Sequence, residues 1–264
     1  MLKNISKKTI WTAAALILAL SLIVSGCGQS NSNHTSNDPS STGSENQTPP
    51  ASNNGDEEFR TVTHAMGEAQ VPAKPQRIVV LTNEGTEALL ALGIKPIGAV
   101  KSWTGDPWDA HIASRMEGVT VVGDESQPNI ELIASLQPDL IIGNKMRQEK
   151  VYDQLKNIAP TVFSETLRGE WQSNFLLYAE ALGLKEEGEK IIADFDRRAA
   201  DFKSKAGDKL NEKVSVVRFM AGKIRIYLED SFTGIAFSKL GLTRPESQQG
   251  YADRFAEEIT TERL

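Results

Sequence analysis

Short apolar runs alternate with segments of helical periodicity along the first half of the chain. Runs of this length, bounded by turn residues, are typical of buried strands. The predicted strands are residues 77–81, 97–100, 119–122, 138–143 and 161–164. Helices are predicted between them at 85–93, 128–136 and 151–159, after a short hairpin at 60–70 that turns at Gly67. Strands that alternate with helices predict a mainly parallel sheet with helices on both faces.

A longer helical pattern follows at 185–205. Its apolar stripe contains Ile191, Phe195, Ala199 and Phe202, and most of its charged residues lie off that stripe. A helix of this length would span roughly 30 Å, which is about the width of a small domain. Two interpretations stay open: a rod that joins two lobes, or an ordinary packed helix inside one domain.

The pattern changes again after this helix. Residues 213–220 and 224–228 are predicted strands, which pair as a hairpin or follow one another, with a turn at 221–223. Arg225 and Tyr227 would project from one face of the second strand, because side chains alternate along a strand. A helix is predicted at 231–240, closed by Gly241.

The N-terminus has the composition of an export signal. Lys3, Lys7 and Lys8 precede an apolar run at 10–24, which is short for a membrane span. The residues Val24-Ser25-Gly26-Cys27 resemble a bacterial lipobox, which implies cleavage before Cys27 and lipidation of its thiol. The alternative is an incidental cysteine in a plain membrane anchor. Residues 1–27 are therefore predicted to be a lipoprotein signal peptide, and the polar residues 28–58 a disordered tether.

Composition removes several classes of function. The net charge of −6 and the pI near 5.3 argue against a nucleic-acid-binding protein. One cysteine excludes an internal disulfide, and three histidines leave little room for a metal site. No phosphate-binding glycine loop, Gly-x-Ser-x-Gly or His-Glu-x-x-His motif is present. These absences argue against an enzyme.

Basic residues and an aromatic follow three of the predicted strands. They are Lys101, Trp103, Lys145, Arg147 and Arg168. Ligands of open α/β sheets bind beyond the carboxyl ends of the strands. Arginine binds carboxylates through two parallel hydrogen bonds, and lysine acts as a point charge. The recurrence predicts an anionic ligand, although any one of these cations could simply be solvated.

Several blocks of sequence resemble a known family. They are TVTHAMGEAQVPAKPQRIVVL, TEALLALGIKPIG and NIELIASLQPDLIIG, in this order and spacing. They resemble the two-lobed substrate-binding lipoproteins that serve iron-siderophore ABC importers. The later blocks GNKMRQEKVYDQL and ETLRGEW resemble the branch that takes ferric citrate and citrate-based hydroxamate siderophores.

The resemblance implies an α/β fold of two Rossmann-like lobes joined by one long helix. It implies that a ferric-siderophore binds in the cleft between the lobes, with no permanently bound cofactor. The iron arrives already wrapped by its chelator, so no protein metal ligands are required. His64 and His111 are accordingly expected to be surface or structural residues.

Roles for further residues follow from the same resemblance. Arg218 and Arg225 are expected to contact anionic groups of the ligand, and Tyr227 either joins them or is a residue at the edge of the core. Glu131 and Glu262 are expected to dock to arginines of the permease. The alternative for both glutamates is a first-turn residue favoured by the helix dipole.

The resemblance also implies partners and a location. The partners would be a ferric-siderophore, an ABC permease with its ATPase, and the membrane through lipidated Cys27. The protein would be a monomer on the extracytoplasmic face of the cell membrane, as in Gram-positive lipoproteins, and would bind no nucleic acid.

The chain ends at Leu264, whereas family members continue further. We therefore predict an N-terminal lobe at 59–168, a helical region at 169–207, and a partial C-terminal lobe at 208–264 with an exposed sheet edge and apolar surface. Two other functions remain open. One is a haem or corrinoid receptor of the same fold, in which Tyr227 would be critical for haem, and the other is a truncated lipoprotein that binds nothing.

Overall fold

The structure is a computed structural model that describes residues 58–260 and Glu262. The predicted signal peptide, Cys27 and residues 28–57 of the predicted tether lie outside the described residues. No helix in the described part of the chain is both long enough and apolar enough to cross a membrane.

The strands and helices follow the predicted alternation. The strands are β1 (Phe59–His64), β2 (Gly67–Pro72), β3 (Ile78–Val80), β4 (Gly98–Ala99), β5 (Thr120–Val121), β6 (Gly123–Asp124), β7 (Gln127–Pro128), β8 (Leu140–Asn144), β9 (Thr161–Ser164), β10 (Val216–Met220), β11 (Lys223–Tyr227) and β12 (Ala256–Ile259). The α-helices are α1 (Asn83–Ala91), α2 (Ile130–Ser135), α3 (Lys145–Gln148), α4 (Tyr152–Lys156), α5 (Trp171–Ala181), α6 (Lys185–Ala206) and α7 (Phe232–Leu240).

The first lobe is organised around a five-stranded sheet with the order β5-β4-β3-β8-β9. Every pair of neighbours in it is parallel, as predicted. The antiparallel hairpin β1–β2 is also confirmed, with its two-residue turn at Ala65 and Met66 immediately before Gly67. The small antiparallel pair β6–β7 was not predicted.

Both faces of the parallel sheet are buried. On one face Ile78, Val80 and Ile142 pack against residues of α1 and α5. On the other face Val79 and Ile141 pack with Ile133 of α2 and Leu155 of α4. Alternate residues of one strand thus enter opposite cores, which explains why the strands are continuous apolar runs.

Helices α1 and α2 begin where short polar side chains cap them. Thr82 accepts a hydrogen bond from the Gly85 amide at the start of α1, and Asn129 accepts one from the Leu132 amide at the start of α2. One prediction needs correction. Helical structure begins at Lys145, directly after β8, and not at Val151, so Lys145 and Arg147 lie on α3 and not on a loop.

Helix α6 extends over 22 residues and packs against α5 on one side and α7 on the other. Three aromatic rings meet where these helices pack together. Trp171 of α5 lies edge-on to Phe195 of α6 and to Phe232 of α7, with ring centroids 5.0 and 5.5 Å apart. Helix α6 thus contacts both the helix that precedes it and the helix that follows the β10–β11 hairpin.

The second lobe contains a three-stranded sheet with the order β10-β11-β12. The hairpin β10–β11 is one of the two arrangements that were left open for these strands, whereas β12 was not predicted, and both pairs are antiparallel. Ser231 caps α7 by accepting a hydrogen bond from the Gly234 amide, and Gly241 closes the helix in the left-handed conformation. Apolar exposure occurs on the edge strand β10, where Phe219 is 72% exposed.

Candidate functional site

The strand order reverses beside β3. The chain passes from β3 to β4 and β5 on one side, then returns to β8 and β9 on the other side. A crevice forms at such a switch point, beyond the carboxyl ends of the strands. Asn83, Lys101 and Lys145 follow β3, β4 and β8 at this edge. The polar edge of the sheet is therefore where we place the candidate site.

One cluster at this edge contains Trp103, Arg147 and Glu125. The Arg147 guanidinium carbon lies 5.9 Å from the centroid of the Trp103 ring, which is within the range of a cation–π contact. Arg147 Nε also lies 3.5 Å from Glu125 Oε2. Trp103 is 65% exposed, and together with Lys101 and Glu125 it lines a pocket of about 220 Å³. Trp103 and Arg147, both proposed from the sequence as ligand-binding residues, thus lie against each other at this edge, and their role in binding stays a prediction.

The other first-lobe cations have acidic partners. Lys145 Nζ donates a hydrogen bond of 2.9 Å to Glu165 Oε1, and this partner raises the pKa of the Lys145 ammonium. Arg168 Nη1 donates one of 3.2 Å to Asp230 Oδ2. Asp230 precedes α7, so this ion pair joins the first lobe to the second. An anionic ligand would have to share these cations with carboxylates.

Arg218 and Arg225 lie directly opposite each other on β10 and β11. Arg225 donates a hydrogen bond of 2.6 Å to Glu258 on β12, and this partner raises the pKa of Arg225 and lowers that of Glu258. Arg218 is exposed, and its guanidinium has no hydrogen bond or ion pair within the described residues. Tyr227 lies edge-on to Phe255, with ring centroids 5.5 Å apart.

The two residues predicted to meet the permease are both at the surface. Glu131 is exposed in the first turn of α2. Glu262 is exposed and accepts a hydrogen bond of 3.3 Å from Thr260 Oγ1. Both positions leave the carboxylates accessible, and the docking roles stay predictions.

A buried polar network lies directly beneath this edge of the sheet. Glu84 Oε1 accepts hydrogen bonds from Asn174 Nδ2 at 2.9 Å and from the Tyr178 hydroxyl at 3.4 Å. The Tyr178 hydroxyl also lies 2.6 Å from Ser164 Oγ, which accepts a hydrogen bond from Asn144 Nδ2. Burial raises the pKa of Glu84 to about 7, and burial also raises the pKa of Tyr178.

Sequence reasoning missed four acidic residues at this site: Glu84, Glu125, Glu165 and Asp230. Of these, Glu84 was the easiest to notice, because it follows a buried strand and opens a helix. Glu125 is only 3% exposed, which is unusual for a carboxylate. Its place in a polar loop with Asp124 and Ser126 carried no signal of burial.

A separate cavity of about 420 Å³ lies between α1, α5, α6 and α7. Its walls include Phe175, Ile191 and Phe195, and its polar groups include the carboxylates of Glu84 and Glu87. Apolar walls with acidic groups disfavour an anion, so we do not place the ligand there.

Histidine positions agree with the expectation of structural or surface roles. His64 is buried beside Tyr152, with ring centroids 5.9 Å apart, and accepts a hydrogen bond from the Met66 amide. His111 is exposed and lies 3.0 Å from Glu87. The described residues contain no cluster of three or more His, Cys, Asp or Glu side chains that could hold a metal ion.

A family model described as periplasmic binding protein matches residues 78–264. The chain belongs to this family. YfiY of Bacillus subtilis, named as a probable siderophore-binding lipoprotein, is 62% identical over 190 residues, which are 72% of this chain and 58% of YfiY. YfmC of the same organism, named as an Fe(3+)-citrate-binding protein, is 30% identical over 266 residues, covering 100% of this chain and 78% of YfmC.

A solved structure has the same fold. Staphylococcus aureus SirA, crystallised with staphyloferrin B, aligns with a TM-score of 0.71 and 36% identity, covering 77% of this chain and 71% of SirA. The predicted family and its α/β fold with a long helix are therefore confirmed. The chain spans little more than half, 58%, of the length of YfiY.

Proposed function

We propose that this protein captures a ferric-siderophore of the citrate or citrate-hydroxamate type and delivers it to an ABC permease for iron uptake. The observation that carries the proposal is the group of cations at the switch-point edge, where Arg147 lies against Trp103 and Lys145 is on the same short helix. Such a site suits a ligand with several carboxylates. The names of YfiY, YfmC and the SirA complex support this ligand class.

The ligand is a small molecule that carries its own iron, and the protein is not an enzyme. The binding residues in this proposal are Trp103, Lys145, Arg147, Arg168, Arg218, Arg225 and Tyr227. The two lobes, predicted at 59–168 and 208–264 and joined by the helical region 169–207, would bind the ligand between them.

Delivery requires that the protein stays near its permease. We propose that lipidated Cys27 anchors it to the extracytoplasmic face of the membrane, as a monomer, and that the permease acts with its ATPase. The naming of YfiY and YhfQ of Bacillus subtilis as lipoproteins supports the anchor.

The decisive experiment is a tryptophan fluorescence titration of the full-length chain in mild detergent. The ligands are ferric citrate, a ferric citrate-hydroxamate siderophore, a ferric catecholate siderophore and haem. We expect saturable quenching by the citrate-type ligands, because exposed Trp103 lies at the site. A Soret shift with haem and no response to the citrate-type ligands would instead favour a haem receptor. No response to any ligand would contradict binding.

The second-lobe arginines provide a sharper test. Arg218→Ala should weaken binding of the citrate-type ligand by about 1 kcal/mol or more, because it removes a charged hydrogen-bond donor that has no protein partner among the described residues. Arg225→Ala should also weaken binding, but by less, because the Arg225 guanidinium already donates a hydrogen bond to Glu258. Unchanged affinity in both variants would remove this hairpin from the site.

A further inference from the structure

Glu125 is a buried carboxylate at the edge of the site. Its Oε1 accepts hydrogen bonds from the Asn83 amide at 2.7 Å and from Asn83 Nδ2 at 2.9 Å. The Asn83 amide is the first N–H of α1, where a helix presents unpaired donors and a partial positive charge. The carboxylate of Glu125 is therefore fixed by α1 before any ligand arrives.

The loop that carries Glu125 is fixed as well. The Gln148 side chain donates hydrogen bonds to the backbone oxygens of Glu125, at 2.7 Å, and of Leu81, at 3.1 Å. The same side chain accepts a hydrogen bond of 2.8 Å from the Asn144 amide. Because Gln148 is on the same helix as Arg147, these hydrogen bonds fix the position of the Glu125 loop relative to that helix.

The second oxygen of Glu125 faces Arg147. Glu125 Oε2 lies 3.5 Å from Arg147 Nε, and the guanidinium lies 5.9 Å from the Trp103 ring centroid. The Arg147 side chain is 41% exposed, and its Nη atoms donate no hydrogen bond within the described residues. The guanidinium thus faces a buried carboxylate at one edge and is open at the other, which can bind a carboxylate with two parallel hydrogen bonds.

We propose that Glu125 is a positioning residue for ligand binding, which holds the Arg147 guanidinium against Trp103 so that its Nη atoms are presented to a carboxylate of the ligand. The proposal rests on the proposed function and adds to it. A fixed guanidinium loses less side-chain entropy on binding than a free one. The acidic residue would therefore assist the binding of an anion, although its charge repels that anion.

This opposition of effects makes Glu125→Gln a decisive variant. The glutamine oxygen can still accept from Asn83, whereas its amide group would face Arg147 Nε, donor against donor, and release the arginine. If charge alone mattered, the variant would bind ferric citrate more tightly. If positioning matters, we expect binding to weaken about fivefold, as for the loss of one charge-assisted contact.

The experiment measures ferric citrate affinity of the full-length chain in mild detergent for wild type, Glu125→Gln, Arg147→Ala and the double variant. We expect Glu125→Gln to have no further effect once Arg147 is removed. Glu117→Gln is the matched control, because Glu117 is exposed and precedes β5 at the opposite edge of the sheet, so its affinity should equal that of wild type. Equal or tighter binding by Glu125→Gln would overturn the proposal.

A second readout separates this proposal from the proposed function. The NMR signal of Arg147 Nε–Hε, assigned by its loss in Arg147→Ala, should exchange with solvent faster in Glu125→Gln than in wild type. If the wild-type protein binds neither citrate-type ligand, the proposed function fails. The exchange rate of this signal then tests by itself whether Glu125 restrains Arg147. An unchanged exchange rate in the variant would then show that Glu125 does not restrain Arg147 and would overturn the proposal, and a faster rate would support the restraint of Arg147 by Glu125.

Discussion

The carboxyl group of Glu84 makes the stability of the protein depend on pH. It lies in the first turn of α1, where the helix N-terminus favours a negative charge. Burial outweighs that effect and the hydrogen bonds from Asn174 and Tyr178, and it raises the pKa of Glu84 from 4.5 to about 7. The folded protein therefore retains a proton between these pH values that the unfolded chain releases.

The free energy of unfolding should consequently fall as pH rises from about 4.5 to 7. Above pH 7 the contribution of Glu84 should no longer change, because the carboxyl group is ionised in both states. The loss amounts to about 3 kcal/mol. Glu84→Gln mimics the protonated group, so the variant should lack this fall and be more stable than wild type at pH 8. Denaturant unfolding at several pH values measures the difference.

Glu68→Gln is the matched control for that comparison, because Glu68 is exposed on β2. We expect its free energy of unfolding to follow that of wild type at each pH. If the difference between wild type and Glu84→Gln were constant from pH 5 to 8, Glu84 would not carry the proton.

The candidate cations were found from the sequence, but their partners were not. Lys145, Arg168 and Arg225 follow or lie in predicted strands, which is a local property. Their partners Glu165, Asp230 and Glu258 lie 20, 62 and 33 positions further along the chain. Partners at such separations are determined by sheet order and loop paths, which periodicity does not encode.

At the scale of elements, α6 joins the parts of the molecule. Its bounds agree with the predicted 185–205 within one residue, because an amphipathic stripe is a strong local signal. The stripe did not predict Gly188, which the structure places in close contact with α5. A Cβ added at Gly188 would lie 2.5 Å from the Ala179 Cβ, well below van der Waals contact.

Gly188→Ala should therefore destabilise the protein by about 1–3 kcal/mol, because the overpacking outweighs the gain in helix propensity. Thermal unfolding followed by far-UV circular dichroism measures the change. Ser204→Ala is the control on the exposed side of the same helix, where we expect a change within about 0.5 kcal/mol. A Gly188→Ala variant as stable as wild type would mean that α5 and α6 can separate at little cost.

At the scale of the whole molecule, the first lobe contacts the second through Arg168 and Asp230. The helical region between them contacts the second lobe through Trp171, against Phe232, and through α6. Glu131 and Glu262 are exposed, on the first and second lobes respectively. The permease of an ABC importer is the partner in the proposed function.

Exchange of both glutamates for alanine should leave the affinity for ferric citrate unchanged, because neither residue is placed at the ligand. The same double variant should lose most of its stimulation of the ATPase in a reconstituted permease. Glu117→Ala, also exposed and on the first lobe, serves as the control and should stimulate like wild type. Full stimulation by the double variant would contradict the docking roles.

The sequence by itself determined the family, the parallel first-lobe sheet, the long helix and the basic character of the strand ends. These properties depend on local periodicity, on capping residues such as Thr82 and Ser231, and on the order of short blocks. Only the tertiary structure decided that Lys145 and Arg147 are helical, that β12 adds a third strand to the antiparallel sheet, and that Glu125 is buried against Arg147. These features depend on contacts between segments that are far apart in the sequence, and such contacts form only when the chain is folded.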